Sequence, residues 1–127
     1  MKILNDLSVF RWENLPKPDY YQGVESYHIR SRRSFRMRSV NVGSGGDDMI
    51  GTESFCEVQW LKGARYRRRN APCLSVEYIL KGEVFARQED RGYLLEAGDF
   101  FLMQPRLESE LLATPSGCHK ISLTFVG

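Results

Sequence analysis

Few residues of this chain have the types and spacing that chemistry at a site requires. The sequence has only two histidines, His28 and His119, and three cysteines, Cys56, Cys73 and Cys118. The cysteines are odd in number and have no CxxC spacing, which predicts reduced, packed thiols in a cytoplasmic protein. Zinc, iron, manganese and copper need several imidazole, thiolate or carboxylate donors that converge. Two isolated histidines do not suggest such a site.

One carboxylate is notable for its apolar surroundings. Glu77 lies within Cys73–Leu80, a segment rich in apolar and aromatic residues. Ser75, Glu77 and Ile79 fall on one face of a strand there, opposite Leu74, Val76, Tyr78 and Leu80. A buried carboxylate costs several kcal/mol unless it is paired or hydrated. Glu77 therefore lies either on a solvated outer face or inside the fold with a partner.

The last strand of the sequence, Lys120 to Val126, shows the same alternation. Lys120, Ser122 and Thr124 share one face, and Ile121, Leu123 and Phe125 share the other. In a small barrel one face of each strand points into the lumen. A lumen that binds a polar ligand needs a few converging polar groups in an apolar lining. The polar face of this strand therefore either lines such a site or faces solvent.

Arginines are concentrated in two places, which raises the question of nucleic-acid binding. The clusters are Arg30, Arg32, Arg33, Arg36 and Arg38, and Arg65, Arg67, Arg68 and Arg69. The net charge is only +2. In the first cluster, arginine and apolar residues alternate, as expected for a strand with one solvent-exposed face. No helix-turn-helix, zinc-finger or RNP-like pattern accompanies the arginines. We therefore expect a solvated or internally paired face, with at most weak, salt-sensitive DNA binding.

Short strands separated by turn residues run through most of the sequence. Predicted strands are Phe55–Leu61, Cys73–Leu80, Val84–Gln88, Tyr93–Leu95, Phe100–Met103 and Lys120–Val126. Turns are predicted at Lys62–Gly63, Gly82, Glu89–Gly92, Gly98–Asp99 and Pro115–Gly117, and Pro105 should end its strand. The glycine-rich segment Gly43–Asp48 predicts a hairpin connection. No helix longer than two turns is predicted, so the pattern favours an all-β barrel or sandwich.

Length and composition indicate one domain with an irregular N-terminal arm. The 127 residues are 42% hydrophobic and 27% charged, typical of a globular protein that can bury a core. No apolar run approaches the roughly 18–20 residues of a membrane span, and residues 1–10 do not form a signal peptide. Pro16 and Pro18 exclude a helix from residues 1–22. Tyr20, Tyr21 and Tyr27 are predicted to anchor this arm to a barrel of residues 27–126, or to close over its cavity.

The order of strands and turns resembles a cupin barrel, and specifically the N-terminal effector-binding domain of AraC-type transcription regulators. The resemblance rests on Tyr78–Gly82, the Glu96–Asp99 turn and the closing Ile121–Phe125, with basic residues before the first of these strands. It implies an all-β, cupin-like double-stranded β-helix, a small jelly-roll barrel. It also implies that DNA is bound only by a C-terminal helix-turn-helix region, which this chain does not include.

The resemblance also implies where ligands would bind. The metal-binding histidines of the general cupin pattern fall on Arg68 and Asn70, or Arg69 and Ala71; the glutamate falls on Ser75 and the last histidine on Ser109. None of these residues is a usual metal ligand, so no metal and no cofactor are expected. The family's effector contacts map onto Arg67 or Arg69. With Glu77, Ser109, Lys120 and Ser122, these residues form the predicted ligand site.

The function that follows is effector sensing rather than catalysis. The expected partner is a small sugar or organic acid, bound in a metal-free barrel. A homodimer is the one assembly considered, and no membrane contact is expected. The chain is predicted not to be an enzyme. The alternative is a stand-alone metal-free cupin, either a binding protein or an enzyme that would use an acid/base pair such as Glu77 and Arg69.

Overall fold

The chain forms antiparallel strands and one short 3-10 turn, Ser8–Phe10, in the parts that the structure describes. This computed structural model describes residues 1–21, 24–29, 35–40 and 51–126, so the Gly43–Asp48 segment lies outside it. The strands are β1 (Lys2–Leu4), β2 (Asp19–Tyr21), β3 (Val24–Ile29), β4 (Phe35–Val40), β5 (Gly51–Trp60), β6 (Arg65–Arg69), β7 (Leu74–Gln88), β8 (Arg91–Glu96), β9 (Phe100–Met103) and β10 (Ser109–Val126). The predicted all-β class is confirmed. Within these ranges, no helix is both long and apolar enough to cross a membrane.

Two long strands, β7 and β10, organise the sheet. They pair antiparallel along most of their length, and the continuous strand order is β1-β8-β7-β10-β6-β3-β2. The first part of β10 pairs with β6 on its other side, and the part from Cys118 onward pairs with β5 instead. Strand β9 adds to the first half of β7. The long strand β10 thus has a different neighbour along each of its halves, as is typical of a jelly-roll barrel.

The glycines that were predicted to end strands lie inside them. Gly82 is within β7, and Gly117 is within β10, where the register shifts between Ala113 and Cys118. Both have positive φ, +77° and +71°. A Cβ on Gly82 would lie 2.2 Å from the carbonyl oxygen of Gly117, and a Cβ on Gly117 would lie 2.5 Å from that of Trp60. Glycine is required here because three backbones approach closely where β10 changes partners.

The turns predicted at Lys62–Gly63 and Gly98–Asp99 are confirmed, whereas only Glu89 and Asp90 of the predicted Glu89–Gly92 turn lie outside the strands, since β8 begins at Arg91. Glu89 and Asp90 connect β7 to β8, and Gly98, with φ +93°, turns the chain toward β9. Asp99 stabilises that turn because one of its carboxylate oxygens accepts the Glu96 amide at 2.9 Å. This hydrogen bond lowers the pKa of the Asp99 carboxyl, and the nearby N-terminal amine acts in the same direction. A carboxylate that satisfies an otherwise free amide favours the turn locally.

The N-terminal arm is more ordered than its sequence predicted. β1 pairs with β8, and β2 pairs with β3. Phe10 is buried and packs edge-on against Phe85, with ring centroids 6.4 Å apart. A Cβ on Gly92 would lie 2.4 Å from the Leu7 side chain and 3.2 Å from that of Phe10. Glycine at this position therefore leaves the space that the arm occupies. The side chains of Tyr20 and Tyr21, predicted as anchors, lie outside the described residues.

Strand alternation separates two packing faces. The inner face buries one apolar core of Val58, Trp60, Ala64, Ile79, Val84, Ala86, Leu95, Phe101, Met103, Leu111, Ala113 and Cys118. The arm packs through Phe10 and Trp12 on the outer face of β6, the second half of β7 and the first half of β10. On β9, Phe101 and Met103 point inward, while Phe100 and Leu102 are exposed. The candidate site lies on the inner face, within this core.

Candidate functional site

A charged cluster lies inside the barrel, between β7 and the second half of β10. Glu77 is only 5% exposed, and Lys120 is 3% exposed. The Lys120 ammonium donates to one carboxylate oxygen of Glu77 at 2.7 Å and to the Ser122 hydroxyl at 2.9 Å. Ser122 donates to the same carboxylate oxygen. Of the two placements left open for Glu77, the structure shows the buried, paired one.

The alternation of the two strands explains why these side chains meet. Ser122 lies opposite Glu77 in the β7–β10 register, and Thr124 lies opposite Ser75. Residues on one face of paired strands are direct neighbours across the ladder. The face predicted from Lys120, Ser122 and Thr124 is therefore the inner one. The Lys120 ammonium also lies 4.6 Å from the centre of the Trp60 ring, close enough for a cation–π contact.

Arg68 is a second interior charge; the sequence analysis placed it in the second arginine cluster and at an empty metal-ligand position, but not in the ligand site. It is 2% exposed and points to the inner face of β6. Its guanidinium donates to the carbonyl oxygen of Met103 at 2.6 Å, to that of Cys73 at 2.9 Å and to the Ser75 hydroxyl at 3.1 Å. Strand alternation places Arg68 on the face opposite Arg67 and Arg69, but only the register of β6 against β10 shows that this face is the inner one.

Hydroxyl groups link the two charged groups into one polar row. The Ser75 hydroxyl, which accepts from Arg68, lies 3.4 Å from the Thr124 hydroxyl. Thr124 is two residues beyond Ser122 on the same face of β10. Ser109 is fully buried beside Arg68 in the β6–β10 register, with its hydroxyl 3.5 Å from the Leu107 carbonyl oxygen. The row therefore runs from Arg68 through Ser75 and Thr124 to the Glu77–Lys120–Ser122 cluster.

Arg67 and Arg69, predicted at the mouth of an interior site, lie on the opposite face. Arg67 contacts Glu110 at 2.9 Å and Glu108 at 3.6 Å, and Arg69 contacts Glu108 at 3.7 Å. Their predicted position rests on the resemblance to AraC-type sensor domains, which does not determine which face of β6 points inward. A shift of one residue along a strand moves every side chain to the other face. These two arginines therefore do not belong to the interior row.

The outer face instead holds the arm in place around Glu110, which is fully buried. Arg65 and Arg87 lie 3.3 Å and 3.7 Å from its carboxylate, in addition to Arg67. The Trp12 indole donates to Glu110, and the Arg65 guanidinium stacks 3.8 Å from the Trp12 ring. Burial lowers the pKa of Arg65, and Glu110 opposes that effect. These contacts explain much of the second arginine cluster as internal pairing.

The residues at the interior site do not fit a metal ion. Among the described side chains, no three histidine, cysteine, aspartate or glutamate residues converge. His119 contacts Glu57 at 2.7 Å, away from the row, and the side chain of His28 lies outside the described residues. The interior carboxylate is already paired with Lys120, and the nearby guanidinium of Arg68 would repel a cation. The expectation of a metal-free barrel stays a prediction.

Cys118 is predicted to be an inert thiol next to the site. Burial raises its pKa to about 11, Lys120 lowers it and Glu77 raises it. At pH 8 only about one thiol in 1,000 would be ionised, and the thiolate is the reactive form. Because the unfolded thiol ionises near 9.0, the stability that this protonated thiol contributes is complete below pH 9 and is lost as the pH rises to about 11.

Iodoacetamide labelling of the native protein at pH 8, read by peptide mass spectrometry, tests this property. The half-buried Cys73 provides the comparison within the same sample. We expect Cys118 to be labelled at least about tenfold more slowly than Cys73, and at a similar rate after unfolding. Equal rates in the native protein would show that Cys118 is open to solvent.

Comparison with known proteins shows the fold. No protein-family model matches the chain, and no curated protein matches its sequence. A predicted oxalate decarboxylase from Thermotoga maritima is 14% identical, with 91% of this chain and 95% of that one covered at a TM-score of 0.56. The cupin domain of an XRE family transcriptional regulator from Enterobacter cloacae is 9% identical. The match covers 72% of this chain and 96% of that domain, with a TM-score of 0.57. KdgF from Halomonas sp. is 13% identical, and the match covers 98% of this chain and 94% of that one with a TM-score of 0.52. The chain has a cupin-like fold.

These neighbours correct one prediction. The chain was predicted not to be an enzyme because the usual metal-ligand positions are empty. One structure with this fold and nearly this length is a predicted oxalate decarboxylase, while another is the cupin domain of a regulator. The fold is therefore shared by both classes of protein, and it does not exclude catalysis.

Proposed function

We propose that the interior polar row binds a small organic molecule and that the chain is the ligand-sensing domain of a transcription regulator. One observation carries the proposal: the Glu77–Lys120–Ser122 cluster is buried where a barrel of this size would otherwise hold apolar side chains. Replacing a buried ion pair by apolar residues is often neutral or stabilising. Stability alone therefore does not account for this cluster, whereas recognition of a polar ligand does.

Two further findings support the regulatory part of the proposal. The sequence resembles AraC-type sensor domains, most specifically at Glu96–Asp99 and Ile121–Phe125. A regulator of another family, the XRE family, contains a cupin domain with a similar fold. In this proposal the ligand occupies the barrel, and DNA is bound by a separate region of a longer protein. The described part of the arm docks on the outer face through Phe10 and Trp12, away from this ligand position.

A second candidate function, catalysis, is favoured by the geometry of Glu77 and Lys120. A carboxylate and an ammonium 2.7 Å apart inside a protein can act as a general base and a general acid. This pair replaces the Glu77–Arg69 pair considered from the sequence, since Arg69 lies on the outer face. The predicted oxalate decarboxylase shows that the fold is compatible with an enzyme. Incubating the protein with any ligand that binds, and following that ligand by NMR, separates turnover from binding.

A thermal-shift screen with sugars, sugar acids and small aromatic acids tests the proposed binding function. A ligand that binds only the native state raises its melting temperature in a concentration-dependent way. Ser122→Ala removes one hydroxyl of the cluster and should weaken that binding by about 5–10-fold, the usual worth of one hydrogen bond. Ser116→Ala, at an exposed serine of the same strand, is the matched control and should bind as the parent does. If no compound in the screen shifts the melting temperature, or if Ser122→Ala binds unchanged, the interior row is not the site.

A further inference from the structure

The interior row is short of negative charge. Five charged side chains are buried among the described residues: Arg65, Arg68, Glu77, Glu110 and Lys120. Arg65 and Glu110 belong to the outer face beneath the arm, where they contact each other. The inner face then holds two cations, Arg68 and Lys120, and one anion, Glu77. Its charge is +1.

Arg68 is the cation without a counter-charge. Glu77 is held by Lys120 and Ser122, and none of the ion pairs formed by the described side chains involves Arg68. Its hydrogen-bond partners are backbone carbonyls, the Ser75 hydroxyl and the Cys73 sulfur, all of them uncharged. A guanidinium carries its charge at neutral pH, and a buried unpaired charge is costly. A bound anion would remove that cost.

The interior is also short of hydrogen-bond acceptors. Arg68 Nε and Trp60 Nε1 are both buried and have no acceptor among the described residues. Trp60 lies beside Lys120, at the other end of the row from Arg68. The unfilled groups of the inner face are thus donors at both ends, and buried donors rarely remain unpaired in native proteins. A ligand that fills them must present acceptors rather than donors.

We infer that the ligand of this row is a small monoanionic organic acid whose carboxylate pairs with Arg68. This inference rests on the proposed binding function and names its ligand class. A carboxylate supplies one negative charge, which balances the interior, and an acceptor oxygen for Arg68 Nε, the guanidinium donor that has no partner among the described residues. A dianion would overcompensate a charge of +1, and a neutral sugar would leave Arg68 unpaired. Ser75 and Thr124 are placed to hydrogen-bond the same ligand next to its carboxylate.

Matched acid and neutral probes test the inference. The pairs are lactate and lactamide, benzoate and benzamide, and glucuronate and glucose, with sodium chloride as the inorganic anion. Binding is followed by thermal shift and titration calorimetry at constant ionic strength. We expect at least one acid to bind at least about tenfold more tightly than its neutral partner. Arg68→Gln should weaken that acid by about 10–100-fold, whereas Arg106→Gln, at an exposed arginine, should leave binding unchanged.

Each outcome has a defined meaning. If the neutral partners bind as tightly as the acids, the row is a ligand site but the carboxylate inference is wrong. If no probe binds, both the inference and the proposed function fail. A chloride response equal to that of the acids would identify a simple ion site and overturn the inference. If Arg68→Gln does not fold, Arg68→Lys keeps the charge but lacks the Nε donor of arginine, and unchanged acid binding in that variant would contradict pairing of the carboxylate with Nε.

Discussion

Lys120→Met should cost about 3–5 kcal/mol of unfolding free energy, the usual effect of leaving a buried charge without its partner. The ammonium of Lys120 and the carboxylate of Glu77 are almost fully buried and lie 2.7 Å apart. Methionine occupies a similar volume but cannot pair with the carboxylate, so Glu77 would keep only the Ser122 hydroxyl. Urea denaturation followed by tryptophan fluorescence measures the loss.

Two further variants make this test specific to the pair. Lys81→Met, at an exposed lysine of β7, should change stability by less than about 0.5 kcal/mol. The double variant Glu77→Leu with Lys120→Met should recover most of the loss, because neither member of the ion pair then remains buried without its partner. A loss below about 1 kcal/mol for Lys120→Met, the range of solvent-exposed pairs, would contradict a buried pair. The double variant should also lose ligand binding, which separates stability from function.

Glu110→Gln should destabilise the protein by about 3–5 kcal/mol and release the N-terminal arm. Glu110 is the fully buried carboxylate beside Arg65, Arg67 and Arg87, and glutamine would leave those guanidinium groups without their shared counter-charge. Trp12 would lose the charged acceptor of its indole N–H. Limited proteolysis should therefore cut the arm near Trp12 much faster than in the parent protein, and urea denaturation should show the loss of stability.

Glu108→Gln is the matched control for the outer cluster. Glu108 contacts Arg67, Arg69 and Arg87, but its side chain is 30% exposed, so water can replace the lost charge. Its substitution should cost only about 0–1 kcal/mol, as is usual for exposed ion pairs. If the two variants lose equal stability, the arm is not held mainly by Glu110. If proteolysis of the arm is unchanged in Glu110→Gln, the outer cluster does not anchor it.

The sequence alone was sufficient for the fold class and for part of the site. Period-two alternation and turn residues predicted β5, β7, β8, β9 and the second half of β10, because each of these strands has one buried face and each turn needs a particular backbone geometry. The same alternation placed Lys120 and Ser122 together on one face, and Ser75 and Glu77 together on another. Which of the two faces points inward was left open, because a polar face is equally consistent with solvent and with a lumen.

The parity of β6 and the position of the arm depend on how distant strands pair. Arg67, Arg68 and Arg69 are identical in type, so no local pattern shows which of them enters the interior. The register against β10, with Arg68 opposite Ser109, places Arg68 inside and its two neighbours beneath the arm. Gly82 and Gly117 likewise resemble turn residues locally, yet they are needed where distant backbones cross. The sequence thus shows where strands alternate and which side chains share a face. Strand pairing decides which face points inward, because that choice depends on contacts between residues far apart in the chain.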